Sequence, residues 1–278
     1  MTKSLKGIFM SAINPKELEN ARSELVTVAQ DHFKADPNVL AIFIGGSLAA
    51  GTADEFSDID LRVVVNSEHH KRFVESREEI PKQWPGFLFN EWVPRAQHCV
   101  SHFRPFLKID IFYYSASAFL PSPWYRLPIK ILHDPRGVVA DVIRRSDGLQ
   151  FIVPETDIDF SISKSLAAAH ETYRRVRRGE FFYAQTLLDE LRLHVMHADD
   201  WLFDRTPQST VHSKFHQRAS ENIRAVLIAS YCPYDADAIL AALRSLVSVY
   251  REQVIRLHEK FPLSRPLEND IAALKVIC

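Results

Sequence analysis

Apolar and polar positions follow two rhythms along this chain, and the rhythm changes once. Over residues 14–34, Leu18, Ala21, Leu25, Val28 and Phe33 recur at helical spacing behind Pro15, which suits a first helical position. Asp36-Pro37-Asn38 breaks that pattern. Apolar runs of strand length then follow at 39–44, 61–65, 87–93, 98–103 and 107–114. Turn signals at Pro85-Gly86, Pro94 and Arg104-Pro105 separate the later ones, and "LPSPWYRLPIKILHDPRG" reads as an irregular crossing segment.

Near Gly148 the strand-like pattern gives way to a helical one. Ile162, Leu166, Ala169, Tyr173 and Val176 step by three or four up to Gly179, a natural stop. Further helices are expected over 181–203, 214–230 and 236–260, and short links between long amphipathic helices favour antiparallel packing. The expected fold is therefore α+β: a sheet domain over 1–150, then an antiparallel helical bundle over 151–278.

Composition narrows the partners. At 278 residues with a formal net charge of −1, the chain has room for two domains and lacks the positive excess of a nucleic-acid binder. No segment reads as a signal peptide or a membrane span, so a cytoplasmic protein without membrane attachment is expected. Cys99, Cys232 and Cys278 are too few and too scattered for a disulfide framework or a cysteine-rich zinc site.

The chemistry concentrates in "FIGGSLAAGTADEFSDIDLRVVV". Residues two apart on a strand share a face, so Asp58 and Asp60 aim the same way while Ile59 and Leu61 oppose them. Paired carboxylates repel one another unless a cation intervenes, and oxygen ligands of this kind suit Mg²⁺. Upstream, Gly45-Gly46-Ser47 ends an apolar strand. Ser47 suits a helix N-cap, Gly51 suits a stop, and the freed N–H groups beside the side-chain-free Gly46 suit an anion.

Gly46-Ser47, ten residues, then Asp58-Ile59-Asp60 and an apolar run resembles the signature of the DNA polymerase β-like nucleotidyltransferase superfamily. Within it, the Ser-Asp-Ile-Asp-Leu wording most resembles the antibiotic adenylyltransferases of the aminoglycoside and lincosamide kind. The resemblance implies a third carboxylate on a neighbouring strand, and "FLKIDIFYY" offers Asp110 between Ile109 and Ile111. It further implies a nucleotidyltransferase domain with a mixed sheet and flanking helices. The activity implied is transfer of a nucleoside monophosphate, AMP from ATP, to a hydroxyl of a small molecule, with release of pyrophosphate. Asp58, Asp60 and Asp110 would be the catalytic and metal-binding acids, with two Mg²⁺ ions. Gly46, Ser47 and Ser57 would contact the nucleotide. A regulatory or toxin–antitoxin protein of the same fold, modifying or binding a macromolecule, is the alternative.

Other groups are weighed beside that trio. Glu91 is either a general base or an exposed strand residue. Arg174, Arg175, Arg177 and Arg178 are either phosphate ligands or a solvated last turn, and Lys164, Arg192 and Lys214 are equally open. His194 and His197 lie one turn apart, as metal ligands can, but they alternate with apolar positions like the polar stripe of a packed helix. Arg192 and His197 resemble the Arg-x4-His motif of the HEPN ribonucleases, a spacing common by chance. Asp189, Glu190, Asp199 and Asp200 would form an acidic wall for a cationic acceptor if they share an open face.

Overall fold

The computed structural model describes residues 14–91 and 95–277. The opening segment that was read for a leader, the end of the 87–93 run and Cys278 lie outside the described residues. Contacts divide the chain into two compact units, Met1–Gln150 and Phe151–Cys278.

The first unit runs α1 (Pro15–Lys34), β1 (Val39–Ile44), α2 (Gly46–Ala50), β2 (Ile59–Val65), α3 (His70–Ser76), β3 (Phe87–Glu91), β4 (His98–Phe103), β5 (Leu107–Ser115), β6 (Lys130–His133) and α4 (Val138–Ser146). The strands form one mixed sheet in the order β3-β4-β5-β2-β1-β6. Among the described residues, only β2 and β5 pair in parallel; the other neighbours are antiparallel. The strict alternation of β2 and β5 separates the two faces. Ile59, Leu61, Ile109 and Ile111 are fully buried in the core built with Leu18, Leu25, Ala29 and Phe33 of α1. On the opposite face, Ala41, Phe43 and Val64 are covered by Phe119 and by Val139 and Val142 of α4. Asp60, Arg62, Lys108 and Asp110 sit on that second face, beyond the apolar cover.

Two expectations need correction here. The buried stripe of α1 is Leu18, Arg22, Leu25, Ala29 and Phe33, so an arginine stands where a helix pattern suggests an apolar residue. The crossing segment is partly regular, because its residues 130–133 form edge strand β6. Just after it, α4 begins with the Asp134 carboxylate accepting from the N–H groups of Val138, Val139 and Ala140 at 2.7, 3.0 and 3.0 Å. Such a remote cap carries no local periodicity. Strand β3 agrees with the expected run as far as it is described, Phe87–Glu91.

The second unit comprises α5 (Glu155–Arg177), α6 (Phe181–Leu202), α7 (Phe215–Arg218), α8 (Glu221–Ala229), α9 (Ala236–Lys260) and α10 (Leu267–Lys275). Ile162, Ala169, Leu188, Val195, Leu243, Leu246 and Tyr250 are among the residues that build its core. The turn at Arg178–Glu180, with Gly179 at φ 74°, reverses the chain between α5 and α6. The single helix expected over 214–230 is instead α7 and α8. The buried Asp199 accepts from the Ser220 N–H at 3.1 Å and from its hydroxyl at 2.7 Å, which turns the chain there. Among the described residues, no helix is long and apolar enough to cross a membrane.

The His194 imidazole is held neutral in the interior of this unit, its Nδ1 sharing a 2.8 Å hydrogen bond with the Ser161 hydroxyl. Burial pushes its pKa down to about 4, and the charges of His197 and Lys164 act in the same sense. The unfolded chain protonates this histidine near the ordinary value of about 6.5, while the folded chain resists until about pH 4. Stability is therefore full above the unfolded value and falls as pH drops from about 6.5 to about 4. The loss approaches roughly 3 kcal/mol from this residue alone. Denaturant titrations of wild type and His194→Gln across that window should show a smaller acid loss in the variant.

Candidate active site

The end of β1 and the starts of β2 and β5 lie at one edge of the sheet. Parallel pairing aligns Ile59 with Ile109, Asp60 with Asp110 and Leu61 with Ile111. Asp60 and Asp110 are thus direct neighbours on one face. Asp58, just ahead of β2, is tied to the same spot: the Lys108 ammonium donates to Asp58 Oδ2 at 2.8 Å and to Asp110 Oδ2 at 3.3 Å.

The glycine turn closes the group from the other side. The Gly45 N–H donates to the Asp60 carbonyl at 3.0 Å. Gly46 has φ +62°, and a Cβ there would stand 2.0 Å from Asp60 Oδ2. Only glycine meets both demands, left-handed backbone and close approach to a carboxylate. The N-cap of α2 is Gly45, not Ser47, and Ser47 lies within the first turn. Gly51 ends the helix at φ +68° as expected.

The loop from α2 to β2 is held by Arg22, whose Nη1 donates to the carbonyls of Asp54 at 2.6 Å and Ser57 at 3.1 Å. Ser57 serves this loop: its hydroxyl accepts from the Asp54 N–H at 2.9 Å and donates to Asp54 Oδ1 at 3.0 Å.

Electrostatics follow from burial. Burial raises the Asp60 carboxyl above its ordinary value, Arg62 and Lys108 pull against it, and Asp58 adds repulsion. Asp110 is raised for the same reason, with Lys108 opposing and both other acids reinforcing. Burial alone lowers the Lys108 ammonium, but its contacts with Asp58 and Asp110 carry it above the ordinary value, so it stays charged. Arg62 lies 3.9 Å from Asp60 Oδ1 and donates to the Asp60 carbonyl at 3.1 Å. A Cβ on Gly45 would meet Arg62 Nη1 at 2.4 Å, so the turn leaves room for the guanidinium.

The acids offer a hard oxygen set, and Asp110 Oδ1 is buried without a hydrogen-bond partner among the described residues. An unpaired buried carboxylate oxygen costs stability unless a cation meets it, which fits a divalent metal held by Asp60 and Asp110. Among the described residues no group of three or more His, Cys, Asp or Glu is placed to hold a metal ion, so the three acids do not form a ready three-carboxylate cage. A cavity of about 410 Å³ on the first turns of α1, lined by Asn14, Lys16, Glu17, Asn20, Glu24 and Pro105 among others, contains none of these residues.

Lys108 and Arg62 were missed from sequence, although each lies two residues from a site acid on its own strand. The same period-two rule that paired Asp58 with Asp60 identifies both.

Several of the remaining candidates are engaged with partners of their own. Glu91 Oε1 lies 2.8 Å from His102 Nε2, and that ring stacks on Phe89. Arg174, Arg175 and Arg178 pair with Glu171 and Glu180, as a solvated last turn does. Arg192 is buried and donates to Ser230 and Asp189. His197 stacks on Trp201 while His194 bonds Ser161, so the two do not form a metal pair. The acidic wall is overturned. Asp199 and Asp200 are buried, pairing with Arg205 at 2.6 Å and Arg218 at 2.8 Å respectively. Cys99 and Cys232 are free thiols.

Comparison with known proteins bears on this edge of the sheet. The family model for the nucleotidyltransferase domain matches residues 23–88, a span that contains Gly46, Ser47, Asp58 and Asp60 and stops short of Asp110. No curated protein matches the sequence significantly. An aminoglycoside 6-adenyltransferase from Bacillus subtilis superimposes with TM-score 0.44 at 11% identity, over 92% of this chain and 98% of that one. A nucleotidyltransferase-like protein from Exiguobacterium sibiricum gives TM-score 0.39 at 14% identity, over 86% and 76%. The CCA-adding enzyme of Thermotoga maritima gives 0.34 at 16%, over 95% and 73%. Overlaps this loose carry no argument about substrate.

Gly46 and Gly51 share a left-handed backbone, but a Cβ on Gly51 meets nothing within 4 Å. Gly51→Ala should therefore cost only the backbone strain, about 1–2 kcal/mol. Gly46→Ala should cost at least about 1 kcal/mol more, because Asp60 must move. Parallel denaturant titrations measure the difference.

Proposed function

We propose that this chain, whose residues 23–88 match the nucleotidyltransferase-domain family model, is a nucleotidyltransferase of the DNA polymerase β-like kind that transfers a nucleoside monophosphate from a nucleoside triphosphate, ATP, to a hydroxyl of a small molecule. An aminoglycoside-type antibiotic is the acceptor class we favour. The observation that carries this reading is the in-register pairing of Asp60 with Asp110 beside the Gly46-Ser47 turn.

In this reading Asp60 and Asp110 hold Mg²⁺, and Asp58 completes the acidic set through Lys108. Mg²⁺, when bound, neutralises phosphate charge and favours departure of pyrophosphate. The Gly46 backbone and the Ser47 hydroxyl hold the outer phosphates, while Lys108 and Arg62 supply fixed positive charge on the same face. The acceptor oxygen forms a new bond to the α-phosphorus as the bond to the pyrophosphate oxygen breaks. Asp110 would help remove the acceptor's proton. Ser57 contributes by fixing the loop that leads into Asp58. The near-neutral chain favours a small acceptor over a nucleic acid.

The test is incubation with Mg²⁺, α-labelled ATP and an aminoglycoside panel, reading both label transfer and pyrophosphate. Asp60→Asn and Asp110→Asn should each lower turnover by at least roughly 10³-fold. Because burial raises both carboxyl groups, their ionised forms cost folding stability at neutral pH, and each variant should melt at or above the wild-type temperature. Absence of labelled product and pyrophosphate with every nucleotide and acceptor tried would defeat the reading.

A further inference from the structure

The position of Lys108 bears on how many metal ions the site accepts. Its ammonium is anchored by two carboxylates, 2.8 Å from Asp58 Oδ2 and 3.3 Å from Asp110 Oδ2. It rises from β5 two residues ahead of Asp110, so strand geometry delivers it to that gap.

The two oxygens of Asp110 have different surroundings. Oδ2 faces the lysine, and Oδ1 is buried without a hydrogen-bond partner among the described residues. Asp60, the in-register neighbour of Asp110, makes no contact with Lys108 within ion-pair range and has Arg62 at 3.9 Å. Arg62 is confined by the Gly45 backbone, by its bond to the Asp60 carbonyl and by the Phe112 ring at 5.2 Å. Lys108 thus occupies the gap between Asp58 and Asp110, while Asp110 Oδ1 is left without a hydrogen-bond partner among the described residues and Asp60 has its nearest cation, Arg62, only at 3.9 Å.

Formal charge points the same way. With one divalent ion, Lys108 and Arg62, the three carboxylates are already more than balanced, and a second divalent ion would add two further positive charges. A second divalent ion added to the cluster as it stands would have to enter against the Lys108 ammonium, and like charges at contact range repel strongly.

We propose that Lys108 is a built-in substitute for a second metal ion: its ammonium fills the place between Asp58 and Asp110, and the centre takes one divalent cation, at Asp60 and Asp110 Oδ1. This rests on the nucleotidyltransferase reading and sharpens it. Lys108 acts as a charge-compensating residue that positions Asp58 and Asp110 around a single ion.

The test counts ions. Mn²⁺ is titrated into the protein with a non-hydrolysable ATP analogue, and bound Mn²⁺ is followed by electron paramagnetic resonance. Wild type should saturate at one Mn²⁺ per chain, Lys108→Arg should also take one, and Lys108→Met should take two, with spin coupling between them. Two Mn²⁺ in wild type, or one in Lys108→Met, overturns the inference while leaving the nucleotidyltransferase reading standing. If Lys108→Met does not fold, the wild-type count alone decides. No Mn²⁺ bound by any form removes the nucleotidyltransferase reading and this inference with it.

Discussion

The parallel pairing of β2 with β5 is the constraint on which the N-terminal unit turns. In a sheet whose other neighbours are antiparallel, this one pair brings two strand starts to the same edge. Had β5 run the other way, Asp110 would face a different residue of β2 and the acids would part. The pairing is enforced by apolar residues on the hidden face: Ile59, Leu61, Ile109 and Ile111 are all fully buried against α1. A one-residue slip of β5 would turn Ile109 and Ile111 out of that core and Asp110 into it, at several kcal/mol for the pair. Burial on one face thus sets the chemistry on the other.

Much of this was legible in the sequence because it depends on local rules. Apolar runs of strand length between turn signals revealed β1, β2, β4 and β5, and helical spacing revealed α1, α5, α6 and α9. What escaped was non-local. Asp134 caps a helix from four residues away, and Asp199 breaks α7 from α8 through a bond to Ser220, a contact spanning 21 positions. Arg22 occupies a stripe position because its target is a loop more than thirty residues away. Lys108 and Arg62 were within reach of the period-two rule. Attention to the acids alone left their counter-charges unread.

The second unit shows how charged residues can mislead a sequence reading. Its acid-rich α6 suggested an open binding wall, yet Asp199 and Asp200 are buried and engaged by Arg205, Arg218 and Ser220. Buried ion pairs of this sort add little net stability over apolar packing, but removing one partner strands the other's charge. They fix where helices begin and end, which is what these do at the break between α7 and α8.

The Arg22 clamp has a consequence for tolerance. Its guanidinium grips carbonyl oxygens at Asp54 and Ser57, and so recognises the path of the backbone and not the identity of the side chains. Positions such as Glu55 and the exposed Phe56 are thereby released from holding the loop in shape. Those two positions can drift in composition while the course of the loop stays fixed, so variation at them carries little information about whether the chemistry survives.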